Sequence, residues 1–216
     1  MTNAPVFAVV GHPNKGKSSV VATLSQNDAI AIALEPGTTR ARQDYPLSVD
    51  GQKLYTLVDT PGFQRPRRVL QWLEAHSISA SDHPETVRAF VLQHRGDDRF
   101  VDECELLAPI VEGAGIIYVV DGSVPYSAEH EAEMTILRWT GRPSLALINS
   151  IGTGDHREAW QAALGQFLSF SRTQESSADF AGAEYLSKAG MSGRGSLTFF
   201  GKLLNQEYRY GYSQSD

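Results

Sequence analysis

Cysteine is nearly absent from this 216-residue chain: Cys104 stands alone, so no disulfide can form within it. A solitary thiol fits a reducing compartment, and a cytoplasmic location is expected. Long apolar runs are missing too. Gly115 to Val120, among the most apolar stretches, is far too short to span a bilayer. Met1 to Pro5 lacks a basic segment followed by an apolar run, so no signal peptide is expected. Positive charge is not in excess either. Nineteen Lys and Arg face 25 Asp and Glu, a net charge of −6, which does not support RNA or an anionic membrane as a partner. No internal repeat is visible. What remains is ordinary for one globular domain that buries a core: 41% hydrophobic and 20% charged residues.

Buried strands and helices alternate along the chain. Val6 to Val10 is a short apolar run closed by Gly11, as in a parallel-sheet strand covered on both faces. Lys17 to Leu24 reads as a helix. Tyr45 to Val49 and Leu54 to Val58 flank Asp50-Gly51, a hairpin turn signal. Ile116 to Val120 and Leu145 to Ile148 are two more buried strands, the second after the breaker pair Arg142-Pro143. Ala128 to Trp139 reads as a helix. Ala159 to Phe170 places Trp160, Ala163, Leu164, Phe167 and Leu168 on one helical face. The pattern predicts a mostly parallel sheet, one antiparallel hairpin strand, and helices on both sides. Residues 67–113, including Glu85 to Gln93 and Phe100 to Val111, read as a helical insertion between two strands. Residues 1–170 form the predicted domain. Residues 171–216 are polar and poorly periodic, with Leu197 to Leu204 as a candidate last helix and a frayed tail.

Gly11-His12-Pro13-Asn14-Lys15-Gly16-Lys17-Ser18 fits GxxxxGK[ST], between a strand and a helix as that motif requires. Glycines let the backbone fold around phosphate oxygens so that several N–H groups point inward. The helix start adds its positive dipole end. Lys17 is placed to neutralise the β- and γ-phosphates, and the Ser18 hydroxyl to ligate Mg2+. Pro13, Asn14, Lys15 and Ser19 complete the predicted nucleotide-contacting set. The fold class is therefore the three-layer α/β sandwich of P-loop NTPases. Asp59-Thr60-Pro61-Gly62 follows the strand ending at Val58, which suits Asp59 as a magnesium partner. Gly62 can bring its N–H to the γ-phosphate with no Cβ in the way. Between them, Gly37-Thr38-Thr39-Arg40 offers Thr39 as a triphosphate-dependent magnesium ligand.

Together, GxPNxGKS, PGTTR and DTPG resemble the Era- and TrmE-like GTPases over roughly residues 5–150. More narrowly, the chain resembles a bacterial family in which such a domain precedes a C-terminal domain of unknown function, a continuation that residues 172–216 do not match. The resemblance implies a GTP/GDP switch. Phosphate and magnesium roles fall to Gly11, Asn14, Gly16, Lys17, Ser18, Thr39, Asp59 and Gly62, with Lys17, Thr39 and Gly62 acting in turnover. An asparagine at position 14 helps hold K+ in the potassium-activated members. Its other reading is an unusual backbone angle. Phe63 stands where Ras-like enzymes carry a catalytic glutamine, so slow intrinsic hydrolysis is expected. The resemblance also implies an effector at the switch regions, 36–42 and 62–70, and a nucleotide-dependent dimer.

The guanine motif is degenerate. Asn149-Ser150-Ile151-Gly152 keeps the asparagine of Asn-Lys-x-Asp but neither the lysine nor the aspartate, and Asp155 lies three residues too far on. Three readings stay open: a slow GTPase, a nucleotide-binding switch with negligible turnover, and an ATPase. Arg65, Arg67 and Arg68 read as a solvated loop face rather than a phosphate-binding patch. His12 reads as a bystander, and Trp72, Trp139 and Trp160 as core residues.

Overall fold

The computed structural model of the chain describes residues 4–25, 41–49 and 52–168. Within them, five strands form one sheet in the order β2-β3-β1-β4-β5. β1 is Val6–Val10, β2 Gln43–Val49, β3 Gln52–Asp59, β4 Gly115–Asp121 and β5 Ser144–Asn149. β1 runs parallel to β3 on one side and to β4 on the other, and β4 runs parallel to β5. Only β2 runs antiparallel, paired with β3 as a hairpin with a register shift at Leu47/Ser48. Pro46 fits this outer strand, because a strand with a partner on one side tolerates a missing N–H.

Alternation along the strands splits the core in two. Ala8, Val10, Ile116, Tyr118 and Val120 belong to one large cluster. Val9, Ile117 and Val119, one step out of phase, are buried but lie outside it. The large cluster is covered by four helices: α2 (Pro66–His76), α3 (His83–His94), α4 (Val101–Val111) and α5 (Ala128–Trp139). A fifth, α6 over 157–168, adds Trp160, Leu164 and Phe167 at helical spacing. Helix α1 (Lys17–Ser25) buries Val21, Ala22 and Leu24 outside that cluster, tied to β3 by the Tyr55 hydroxyl donating to the Leu24 carbonyl at 3.0 Å.

The expected insertion resolves into α2, α3 and α4, whose Leu73, Phe90, Leu107 and Ile110 are all buried. Pro66 opens α2 at a position where a missing N–H costs nothing. Two expectations need adjusting. β5 is half-buried along its whole length rather than a buried strand. Trp72 and Trp139 are only partly buried, packed against the core, while Trp160 is fully inside. No described helix is long and apolar enough to cross a membrane.

Four strands are mutually parallel, so their carboxyl ends share one edge of the sheet. The registers set Val9 opposite Asp59 and Asp121 opposite Asn149, with β1 central. The chain fills the β3–β2 side of β1 first and then crosses from β3 to the β4–β5 side, and the crevice outside such a reversal point is where open α/β sheets bind ligands.

Candidate functional site

The loop after β1 turns in three steps of left-handed backbone. Gly11 has φ 144°, Asn14 φ 60° and Gly16 φ 81°. Neighbouring atoms also forbid a side chain at either glycine. A Cβ on Gly11 would strike the Val119 carbonyl oxygen, and one on Gly16 the Asn149 side-chain amide. The asparagine at 14 thus has a backbone reason, being one of the few residues that tolerate this region. Gly16 hands its carbonyl to the Val20 N–H at 2.9 Å, which starts α1 and leaves that helix's first N–H groups at the loop.

Lys17, only 7% exposed, donates to the His12 carbonyl at 3.0 Å, across the mouth of its own loop. Burial lowers its pKa to about 8, against the opposing pull of Asp59 and Glu133. Ser18 donates to Asp59 Oδ2 at 2.7 Å, joining the start of α1 to the end of β3. Asp59 is fully buried. A hydroxyl and a carboxylate oxygen in contact are the hard oxygen donors that suit Mg2+. Ser19 is exposed on the first turn of α1, Asn14 is exposed, and Pro13 is half-buried.

Gly62 lies against this loop. A Cβ there would come within 2.5 Å of the Pro13 nitrogen, 2.7 Å of its Cα and 2.9 Å of the His12 carbonyl carbon. Phe63 N–H donates to the Gly11 carbonyl at 3.2 Å. The Phe63 ring is buried in the core, away from any role in orienting water, and Gln64 is exposed. Thr60 anchors the segment from below, its hydroxyl donating to the Val9 carbonyl at 2.8 Å.

The base side is built differently from the expected motif. Asn149 donates from its amide to the Lys15 carbonyl at 3.3 Å, bridging β5 to the loop. The Lys15 ammonium pairs with Asp121 Oδ2 at 3.1 Å. Asp121 Oδ1 accepts the Ser123 N–H at 2.9 Å, the Ser123 hydroxyl, and the Ile151 N–H at 3.4 Å. Burial raises the Asp121 pKa, but these donors outweigh it and hold the carboxyl below its usual range. Gly152 N–H donates to Ser123 Oγ at 3.0 Å. The loop is thus folded down onto the end of β4. Asp155 does not reach it; the carboxyl is exposed and pairs with Arg157 at 3.5 Å.

His12 has a structural partner. Its Nδ1 lies 2.8 Å from Glu133 Oε1, and the Tyr118 hydroxyl donates to Glu133 Oε2 at 2.8 Å. Glu133 is fully buried on α5. The signal was available in the sequence. Glu133 shares a helical row with His130 and Leu137, and an acid in a buried row needs partners. Glu103 on α4 is a second case, in a row with Leu106, Leu107 and Ile110. It accepts the Gln64 N–H at 3.1 Å and the Arg65 N–H at 2.6 Å. Burial pushes its carboxyl up, against the pull of these N–H groups. The arginines after Gly62 are partly engaged within the chain: Arg65 donates to the Arg99 carbonyl and Arg67 pairs with Glu129 at 2.6 Å. Thr39, with the rest of 37–40, lies outside the described residues, as does everything beyond 168.

The sequence model described as 50S ribosome-binding GTPase matches residues 6–150. The GTPase Der of Mycoplasma pneumoniae is 44% identical over 149 residues, covering 68% of this chain and 27% of that protein. The GTPase Der of Mycolicibacterium vanbaalenii is 30% identical over 166 residues, 75% of this chain and 29% of that protein. The chain therefore spans under a third of the length of these curated relatives. Among solved structures, a complex of Era with MgGDPNP and 16S ribosomal RNA nucleotides aligns with TM-score 0.46 and 20% identity, over 74% of this chain and 45% of that one.

Proposed function

Because the chain belongs to the 50S ribosome-binding GTPase family by its match over residues 6–150, we propose that it is a slow GTPase acting as a switch. GTP is held by the loop Gly11–Ser18 and cleaved to GDP and phosphate. Water attacks the γ-phosphorus in line, and the bond to the β–γ bridging oxygen breaks as that oxygen leaves with GDP. The observation that carries this reading is the meeting of loop and switch. Gly62 abuts Pro13, Phe63 N–H is bonded to Gly11, and buried Lys17 donates across the loop to the His12 carbonyl within the field of Asp59.

Each residue has a task. The inward N–H groups of the loop and the N-terminus of α1 take phosphate oxygens. Lys17 moves from the His12 carbonyl to the β- and γ-phosphates. Gly62 N–H faces the γ-phosphate. Ser18 and Asp59 would hold Mg2+, with Thr39 as a third ligand. Bound there, the ion offsets charge on the phosphate oxygens. With Phe63 in the core, the side chain directly after Gly62 orients no water, which supports slow turnover until a partner, a dimer across the nucleotide faces, or a second cation completes the site. K+ as that cation rests on Asn14, on Phe63 in place of a glutamine, and on the family resemblance together. An effector at residues 36–42 and 62–70, a cytoplasmic location, and a nucleotide domain over 1–170 followed by a C-terminal segment over 171–216 belong to the same proposal.

ATP is the second reading, favoured by one observation. Among the described residues the 149–152 loop carries no carboxylate, and the N–H groups of Ile151 and Gly152 are turned onto Asp121 and Ser123. Calorimetric titration with GTP, GDP and ATP, with and without Mg2+, tests both. Magnesium-dependent GTP binding supports the first, equal affinities for GTP and ATP support the second, and no binding of any nucleotide overturns both.

A further inference from the structure

The switch segment is held from two sides, and the second side is the helical insertion. Three consecutive N–H groups after Gly62 have identified acceptors. Phe63 donates to the Gly11 carbonyl of the phosphate loop, while Gln64 and Arg65 donate to the single oxygen Oε1 of Glu103. Glu103 is 1% exposed, on the first turn of α4. A carboxylate is removed from water at such a place only if its hydrogen bonds repay the desolvation. Beside its own backbone N–H, they go to the entry of α2. That helix has Arg65 as its N-cap residue with no side-chain cap of its own. Glu103 therefore supplies from another helix the acceptor for the N-cap N–H that a Glu or Gln at the third helical position would ordinarily supply, where α2 has Arg68, and it faces the positive end of the α2 dipole. A second tie joins the same places, since the Arg65 guanidinium donates to the Arg99 carbonyl just before α4.

We propose that Glu103 is a positioning residue for nucleotide turnover: from the helical insertion it fixes the peptides after Gly62, so that Gly62 keeps its place against the phosphate loop. This rests on the GTPase reading of the site. Glu103 touches no phosphate; it acts through Gln64 and Arg65. GDP is held by the loop before Gly62 and does not depend on the clamp. Steps that need Gly62 at the γ-phosphate do. The insertion thereby becomes a control point, since whatever shifts α4 shifts the switch.

The test compares Glu103→Ala and Glu103→Gln in the full 216-residue chain, with GDP affinity, KM and kcat for GTP measured on folded protein. Glu103→Ala is expected to lower kcat about tenfold, leaving GDP affinity within about twofold and moving KM little. Glu103→Gln keeps a carbonyl oxygen for the two N–H groups and is expected to recover most of kcat. A folded Glu103→Ala protein with unchanged kcat overturns the proposal, and so does an equal loss of GDP affinity and kcat, which marks a merely structural role. Should the alanine variant not fold, amide hydrogen exchange in the wild-type chain decides. Gln64 and Arg65 are expected to be protected with GDP bound, and exchange at free-peptide rates overturns the clamp. A wild-type chain that binds GTP without hydrolysing it, while these amides are protected, sinks the GTPase reading and not the clamp.

Discussion

Lys17 gives the site a proton signature. Burial lowers its pKa from 10.5 to about 8 in the empty protein. Each unit corresponds to about 1.4 kcal/mol, so the charged form is disfavoured by about 3 kcal/mol on folding. The sign follows from linkage. A lysine whose folded pKa is depressed costs stability below about pH 8. That cost fades as pH rises toward 10.5, because the unfolded chain holds more protons across that window. Triphosphate or diphosphate reverses the balance, since anionic oxygens at hydrogen-bond distance favour the ammonium. At about pH 8.5, roughly three-quarters of empty molecules carry a neutral lysine, and GDP binding should take up about three-quarters of a proton. Near pH 7 the uptake should fall to about a tenth. Above pH 8 the affinity should drop by up to about tenfold per unit. The assay is calorimetric titration with GDP in two buffers of different ionisation heat, at both pH values. Nucleotide phosphates are already fully ionised at the higher pH, so they add no uptake there. Equal apparent heats in the two buffers at pH 8.5, despite binding, would refute the placement of Lys17 against the phosphates.

Three further outcomes follow from the geometry. Gly62→Ala sets a methyl 2.5 Å from the Pro13 nitrogen, against backbone that cannot swing aside. The variant should lose about 1–3 kcal/mol in thermal unfolding and most of its phosphate release, and wild-type turnover would contradict the packing. Preference for GTP over ATP in competition should stay below about tenfold, because the 1–3 kcal/mol of a matched carboxylate is missing. Gly152→Asp alone should not raise it, since its Cβ would meet Ser123 Oγ at 2.9 Å. Glu133→Ala removes the acceptor shared by His12 and Tyr118 and should cost about 1–3 kcal/mol in denaturant unfolding. It should also move the proton-uptake midpoint of GDP binding below pH 8, because Glu133 raises the Lys17 pKa. An unmoved midpoint would show that Glu133 does not act on Lys17.

What could be read from the chain is what is written locally. Gly11 and Gly16 announce positive φ, and the strand and helix around them follow from apolar runs and periodicity. Helix α5 begins and ends where its pattern does, at Ala128 and Trp139. β2 instead starts two residues earlier than its β-prone run, because Gln43 pairs with Asp59 across the hairpin. That gain comes from tertiary pairing, to which propensity is blind. The same limit hid the polar partners. His12 and Glu133 are 121 residues apart, and Gln64 and Glu103 are 39 apart. Sequence shows an acid in an apolar row, but only the folded chain shows what it reaches. At Asn149 the sequence reading identified a missing lysine and aspartate. It did not reveal that Asp121 and Ser123 take the N–H groups of Ile151 and Gly152, with Ser123 crowding any side chain at 152.

The most direct test of the central claim is phosphate release from GTP by the purified chain with Mg2+, run beside Lys17→Ala at matched concentration. Slow release by the wild-type chain, lost in a folded Lys17→Ala variant, is the predicted result. Release that persists unchanged in the variant, or a wild-type chain that neither binds nor cleaves GTP, would contradict the assignment of this loop as the nucleotide site.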